Sequence, residues 1–315
     1  MKKNIIYLLL IIFSTFLNAN EKVVLQLKWF HQFQFAGYYA AKEKGFYDEV
    51  GLDVEIKQRD LKYNNIDEVI NGNAQYGVAD SILILYRLKQ QPVVIVSPIF
   101  QHSPSVFISL KKKNISSIYE LNNKDILFYP NNTDGFSLLA MIKKFNLDVN
   151  LLVRERYKDD YMRLIKNEVD VIPAYIANEP FLFKEKGYDV NIINPTNYGF
   201  DMYGDMLFTN EDEAKNNPDR VEKFKEATLK GWKYALENKE EIIQLINEKY
   251  TQEKTIEHLR YEANAIDSLI NKNLTPLGYL DQGRIRYISE MYQYYGLTES
   301  TIDLKDFLFD EKKKK

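Results

Sequence analysis

The sequence predicts an α/β protein of two lobes, and three observations carry that reading. Residues 23–99 alternate short apolar, β-branched runs with helical runs, as successive β-α-β units do. Residues 106–209 repeat the alternation. From Pro218 to Gly296 the period becomes helical almost throughout. Such a chain builds two sheets, parallel or mixed, with helices on both faces, and a helical tail packing back on the first lobe. It would cross between lobes near residues 101–105 and return near Thr209, leaving a hinge and a cleft. The expected division is 20–103 plus 210–315 for lobe 1 and 104–209 for lobe 2.

Each element has its own signal. Residues 23–28 read as a strand, short, apolar and β-branched at the start. An aromatic-rich loop, Trp29 to Gly37, leads to a helix over 38–44 that Gly45 ends. Gly51 opens an alternating strand over 52–56, and a short helix over 66–70 precedes a strand over 76–79. Asp80 and Ser81 stand where they can cap a helix over 82–89. Residues 92–99 form a near-continuous apolar run, the pattern of a strand buried on both faces. In the second block strands are expected over 106–110, 125–129, 151–154, 170–172, 190–193 and 206–209. Helices over 136–145, 160–166 and 179–186 separate them. The tail carries helices over 221–237, 239–250, 255–271 and 283–295.

Composition excludes several functions. With 315 residues, 45% hydrophobic and 28% charged, the chain is globular rather than disordered or fibrous. It has no Cys, which removes disulfides, thiolate metal sites, thiol nucleophiles and a lipid-anchored amino terminus. Three His without ligand spacing give no metal site. A net charge of −3 offers nucleic acid no basic field. Phosphate-loop, dinucleotide-turn and nucleophile-elbow motifs are all missing, so neither a cofactor nor a reaction is expected. Lys2 and Lys3, an apolar run over 5–17 and Leu17-Asn18-Ala19 read as a secretory signal, residues 1–19, cleaved after Ala19. The mature protein is expected in the periplasm, and Lys312 to Lys315 as a solvated tail.

Aromatics make up 14% of the chain, with 23 Tyr and 18 Phe. In α/β folds the loops at the carboxyl ends of strands form the ligand crevice. Here those loops carry Trp29, His31, Phe35, Gly37 and Tyr38, then Asp80 and Ser81, then Gln101, His102 and Ser103. From the second lobe come Asn132, Thr133, Asp134, Gly135, Tyr175, Asn178, Glu179, Tyr198, Asp201 and Tyr203. Aromatic planes with a few polar groups suit a flat heteroaromatic ligand. Structural readings stand beside this one. Trp29 can be core, Asp80-Ser81 a helix cap, and 131–135 a helix start rather than an anion cradle. His31 and His102 can be ligand contacts or acid–base groups. His258, on a charged helix, reads as a solvated surface residue.

The run Leu25-Gln26-Leu27-Lys28-Trp29-Phe30-His31-Gln32-Phe33-Gln34-Phe35-Ala36-Gly37-Tyr38-Tyr39-Ala40-Ala41 carries a resemblance. So do Lys44-Gly45-Phe46-Tyr47, Gly51-Leu52-Asp53-Val54, Gln101-His102-Ser103-Pro104, Asn178-Glu179-Pro180 and Tyr203-Gly204-Asp205-Met206-Leu207-Phe208-Thr209. Together with Ala227 to Ala235 they resemble the thiamine-pyrimidine-precursor family of periplasmic binding proteins, over roughly residues 23–265. The resemblance implies a bilobal type II fold and a monomer that hands its ligand to an ABC permease and ATPase. It implies a ligand such as a hydroxymethyl- or formylamino-pyrimidine, or a related ring such as riboflavin. By the same resemblance Trp29 and Tyr38 look like ring contacts, and Glu179 like the acid that pairs with an aminopyrimidine edge. Asn132 to Gly135 look like the loop that meets a hydroxymethyl or phosphate group. A pyrimidine synthase in the same superfamily carries a His six residues after the Trp and a cysteine-rich motif. This chain has Phe35 there and no Cys, which disfavours the enzyme. Relatives with the His-Gln-Phe-Gln-Phe form also occur fused to sensory modules, so ligand sensing with a membrane receptor is the alternative.

Overall fold

The computed structural model describes residues 20–129, 135–154, 159–301 and 303–310, without the side chains of Phe136 and Ser137. The expected secretory signal, Asn132, Thr133 and Asp134, and the terminal Lys run lie outside the described residues.

Lobe 1 begins with β1 (Glu21–Gln26), α1 (Ala36–Glu43), β2 (Leu52–Lys57), α2 (Asn65–Ile70), β3 (Tyr76–Ala79), α3 (Ile82–Leu88) and β4 (Val93–Pro98). Lobe 2 holds β5 (Ser105–Leu110), β6 (Asp125–Phe128), α4 (Gly135–Lys144), β7 (Asn150–Val153), α5 (Tyr161–Ile165), β8 (Ile172–Tyr175), α6 (Glu179–Glu185) and β9 (Val190–Ile193). The chain then returns through β10 (Met206–Asn210), α7 (Glu211–Asn216), α8 (Pro218–Glu237), α9 (Lys239–Lys249), α10 (Ile256–Ile270) and α11 (Gln282–Tyr294).

The lobe 1 sheet has the order β2-β1-β3-β10-β4. β1 runs parallel to β2 and β3, whereas β10 is antiparallel to β3 and β4. The sequence placed β10 at the end of lobe 2. It lies instead in the middle of the lobe 1 sheet, so the return crossing precedes Met206. The geometry requires the antiparallel sense. β3 and β4 run toward the second lobe, and a strand arriving from there must run against them. Every residue of β10 is buried, so only a central slot covers both its faces. Lobe 2 is built on β8-β5-β9, all antiparallel, with the parallel pair β6-β7 beside it. Leu127 N donates to Val171 O at 3.0 Å and ties β6 to the segment entering β8. The strand expected over 170–172 forms over Ile172–Tyr175.

α7 has no counterpart in the sequence reading. The side chain of Asn210 accepts from Glu213 N at 2.8 Å, and Glu211, Asp212 and Glu213 fill the first turn, where carboxylates meet the positive end of the helix dipole. The tail packs on lobe 1 as expected. α8 crosses α1 so closely that a Cβ on Gly37 would sit 2.1 Å from Cγ of Trp232, and one on Gly231 would sit 2.2 Å from Gly37 O. Two facing glycines therefore let the helices touch and seat the fully buried Trp232 between them. Beyond α11 the chain lies along the sheet edge, with Ile95 N donating to Phe307 O at 2.8 Å and Phe309 N to Ile95 O at 2.9 Å. Among the described residues no helix is long and apolar enough to cross a membrane.

Candidate interlobe binding site

The loops after β1 and β3 and the segment before β10 converge on Lys28. Its side chain is 3% exposed, and its Nζ lies 3.0 Å from Asp80 Oδ2 and 3.4 Å from Asp205 Oδ1. It also donates to the hydroxyl of Tyr175, the last residue of β8 in the other lobe. A buried ammonium is tolerated only where charge and hydrogen bonds replace its water. Among the described residues two carboxylates and a phenol contribute to this, and the phenol belongs to lobe 2. Gln34 Nε2 donates to Asp205 Oδ2 at 2.7 Å, and Gln32 Nε2 donates in turn to Gln34 Oε1.

Outward from this floor the lobes enclose a cleft of about 460 Å³. Trp29, His31, Gln32, Lys254 and His258 line it from lobe 1, and Tyr129, Tyr161, Pro173, Asn178 and Glu179 from lobe 2. A narrow recess at its base is bounded by Lys28, Trp29, Gln32, Gln34, Tyr175, Asn178 and Glu179. Only about 10 Å³ of that recess is open, so the lobes are nearly in contact there. Glu179 begins α6, and its Oε2 accepts from Tyr175 N at 2.7 Å, which fixes the carboxylate against the end of β8. His31 Nδ1 lies 2.8 Å from Tyr39 Oη, and burial lowers the pKa of its imidazole.

A second junction lies between α10 and α6. Lys254 donates to Asn178 Oδ1 at 2.5 Å and to the fully buried carboxylate of Glu262. That carboxylate also accepts from Phe33 N at 2.8 Å. Tyr261 Oη donates to Ile176 O at 2.9 Å, across the lobes. His258, read from sequence as a solvated surface residue, is 3% exposed. Its ring lies 5.0 Å from that of Phe181, with Nδ1 3.4 Å from Glu185 Oε2. Burial and then the Lys254 ammonium push its pKa down to about 3. The helix is charged, as its sequence says, but this face is turned away from water, His258 against α6 of lobe 2 and Glu262 against Phe33 N of lobe 1.

Of the residues singled out from sequence, Trp29, His31, Asn178 and Glu179 line the cleft, and Tyr175 and Asp80 join the Lys28 floor. Asp80 also caps α3, accepting from Ile82 N at 3.0 Å. Others are placed elsewhere. Phe35, Gly37 and Tyr38 are in the lobe 1 core, where the Tyr38 ring meets the Trp232 indole edge-on at 5.8 Å. Ser81 Oγ donates to Tyr203 O at 2.6 Å. Gln101 Nε2 donates to Tyr279 O at 2.9 Å, and Ser103 Oγ accepts from Ser105 N at 3.3 Å. His102 Nδ1 lies 2.7 Å from Asp201 Oδ1, and Tyr203 Oη accepts from Asp281 N at 2.9 Å. These contacts tie the two crossings and the tail together. Tyr198 packs inside lobe 2, its hydroxyl accepting from Ile118 N at 3.2 Å. Gly135 starts α4, where a Cβ would come 2.8 Å from Phe128 Cε2.

Lys28, Gln32, Gln34, Asp205, Lys254 and His258 escaped the sequence reading. The available signal was Lys28, a lone cation closing an apolar strand, and the alternation of Gln32 and Gln34 with two core phenylalanines. Among the described residues no group of His, Cys, Asp and Glu is arranged to hold a metal.

Comparison with known proteins agrees with this architecture. Residues 32–242 match the family described as NMT1/THI5 like. The chain is 24% identical over 307 residues to the riboflavin-binding protein RibY of Chloroflexus aurantiacus, which covers 92% of this chain and 86% of that protein. It is also 24% identical over 232 residues to the formylaminopyrimidine-binding protein of Halalkalibacterium halodurans, covering 72% and 70%. The periplasmic aliphatic sulphonate binding protein SsuA from Escherichia coli superposes with a TM-score of 0.68 at 12% identity, over 92% of each chain. At that identity the likeness shows the fold alone. With a family match over more than half its length and the topology described above, the chain belongs to the NMT1/THI5-like family and has the bilobal fold of periplasmic binding proteins.

Proposed function

We propose that this protein is the solute receptor of an ABC importer, holding a small heteroaromatic ligand between its lobes. The observation that carries the reading is the cleft itself, where Trp29 and Gln32 of one lobe face Asn178 and Glu179 of the other. An indole offers a stacking plane for a flat ring, worth about 0.5–1.5 kcal/mol beyond area burial. A carboxylate held by a backbone N–H offers a strong acceptor for ring-bound N–H groups. The ligand supported best is an aminopyrimidine precursor of thiamine, in hydroxymethyl or formylamino form, in line with the relative that binds formylaminopyrimidine. Ligand contacts to both lobes would favour the closed form, so binding is a population shift with no bond broken. In this reading the protein is exported to the periplasm, acts as a monomer and delivers the ligand to a permease and ATPase. Riboflavin is the second candidate, because the riboflavin-binding relative is similar over 92% of the chain.

Calorimetric titration with hydroxymethyl-aminopyrimidine, formylaminopyrimidine and riboflavin tests this. Saturable binding of one of them, weakened in Trp29→Ala and Glu179→Ala while both variants stay folded, is the expected result. Wild-type affinity in both variants overturns the site, and no heat with any of the three overturns the ligand class.

A further inference from the structure

The amide of Gln32 has an orientation dictated from a distance. Lys28 carries donors only, so Asp80 and Asp205 both turn lone pairs toward it. A carboxylate accepts only, so Gln34 must present its NH₂ to Asp205, which it does at 2.7 Å. That leaves Gln34 Oε1 as the acceptor for Gln32 Nε2. The Gln32 carbonyl oxygen must then face the other way. Gln32 is 3% exposed and lines both the cleft and its recess, and among the described residues its Oε1 is buried without a hydrogen-bond donor. A buried acceptor left unpaired costs free energy that a ligand donor would recover.

We infer that Lys28, Asp205 and Gln34 form a positioning relay that locks the Gln32 carbonyl toward the cleft, so that the site selects ligands presenting an N–H donor there. Glu179 on the opposite lobe is a second acceptor bounding the same recess. The ligand edge between them is therefore donor-bearing, as in an aromatic amine, and an oxo analogue with a carbonyl in place of the amine meets two acceptors. The inference rests on reading the cleft as an aminopyrimidine site. It goes further by assigning selectivity to residues that act through the Gln32 amide.

The test compares affinities for hydroxymethyl-aminopyrimidine and its oxo analogue. Wild type is expected to prefer the amine by about tenfold or more, the size of one hydrogen bond gained or one repulsion avoided. In Gln34→Leu the Gln32 amide is free to turn over, so the preference falls toward unity while the thermal midpoint shows a folded protein. An unchanged preference in folded Gln34→Leu overturns the relay. If Gln34→Leu does not fold, Gln32→Leu reads the same claim from the other end: collapse of the preference supports it and retention overturns it. Slow hydrogen exchange of the Gln32 and Gln34 side-chain amides in ligand-free protein tests the relay without ligand, and exchange as fast as in solvent overturns it. Wild type that binds neither pyrimidine defeats the ligand assignment, while the exchange measurement still decides the relay.

Discussion

The two lobes differ in how their positions are held. Lobe 1 has a five-stranded sheet whose central strands are covered on both faces, with α1 and α8 locked glycine to glycine around Trp232. Lobe 2 has four-residue strands apart from β5, and a smaller apolar cluster around Val106, Leu127, Leu164 and Phe183. A second cluster runs from α3 and α11 through the hinge to β5 and α4. Burial per residue sets how far an element can move at low cost. The contrast separates two contributions to the site: lobe 1 supplies Lys28, Gln32 and Gln34 from the more deeply packed sheet, and lobe 2 places Tyr175, Asn178 and Glu179 against them.

The largest effect that separates the lobes is at Gly37. Gly37→Val drives a branched side chain into the Trp232 indole and is expected to cost about 3 kcal/mol or more. Denaturant unfolding measures it. A loss below 1 kcal/mol would mean lobe 1 is as yielding as lobe 2, and the contrast would go.

Lys28→Met comes next. It removes the ammonium between the buried Asp80 and Asp205, at a cost of about 3 kcal/mol, because Ile82 N and Gln34 Nε2 still donate to them. Because buried carboxylates that lose a neighbouring ammonium shift toward their protonated form, the deficit relative to wild type should shrink as pH falls. A deficit that is the same at pH 7 and pH 5 would show that Lys28 acts by packing and not by charge.

The smallest of the three is a pH effect at the α10–α6 junction. His258 has its pKa held at about 3 in the folded protein and near 6.5 when unfolded. Between those values the unfolded chain binds the extra proton. This contribution to stability is therefore present above pH 6.5 and is lost as pH falls from 6.5 toward 3. Unfolding free energies at pH 7 and pH 5 should differ less in His258→Gln than in wild type. Equal pH dependence in the two would remove His258 from the junction's energetics.

Much of the fold was legible because it is local. Apolar alternation marked β2, the apolar run marked β4, and the change of period marked the helical tail. β10 was legible as a strand but not as a member of lobe 1, since nothing in Met206 to Asn210 says which sheet it will join. α7 was missed although Asn210 followed by three acids is a helix-start signal, because the segment lacks an apolar stripe. The cleft was half legible: Trp29 and Glu179 announce themselves by residue type and position. Phe35, Tyr38 and Tyr198 share the aromatic character but are used for packing.

By itself, then, the sequence determined the two α/β blocks, the helical tail and a small set of cleft-loop residues, because period and capping are read within a few residues. Only the tertiary structure decided that Lys28 is buried between two acids, that Gln34 orients Gln32, and that the charged helix α10 turns His258 and Glu262 inward. Those facts depend on groups far apart in the chain, such as Lys28 with Tyr175 and Gln34 with Asp205. Charge and burial at such a site are set by which strand ends the sheet brings together, and that is a property of strand order, not of local pattern.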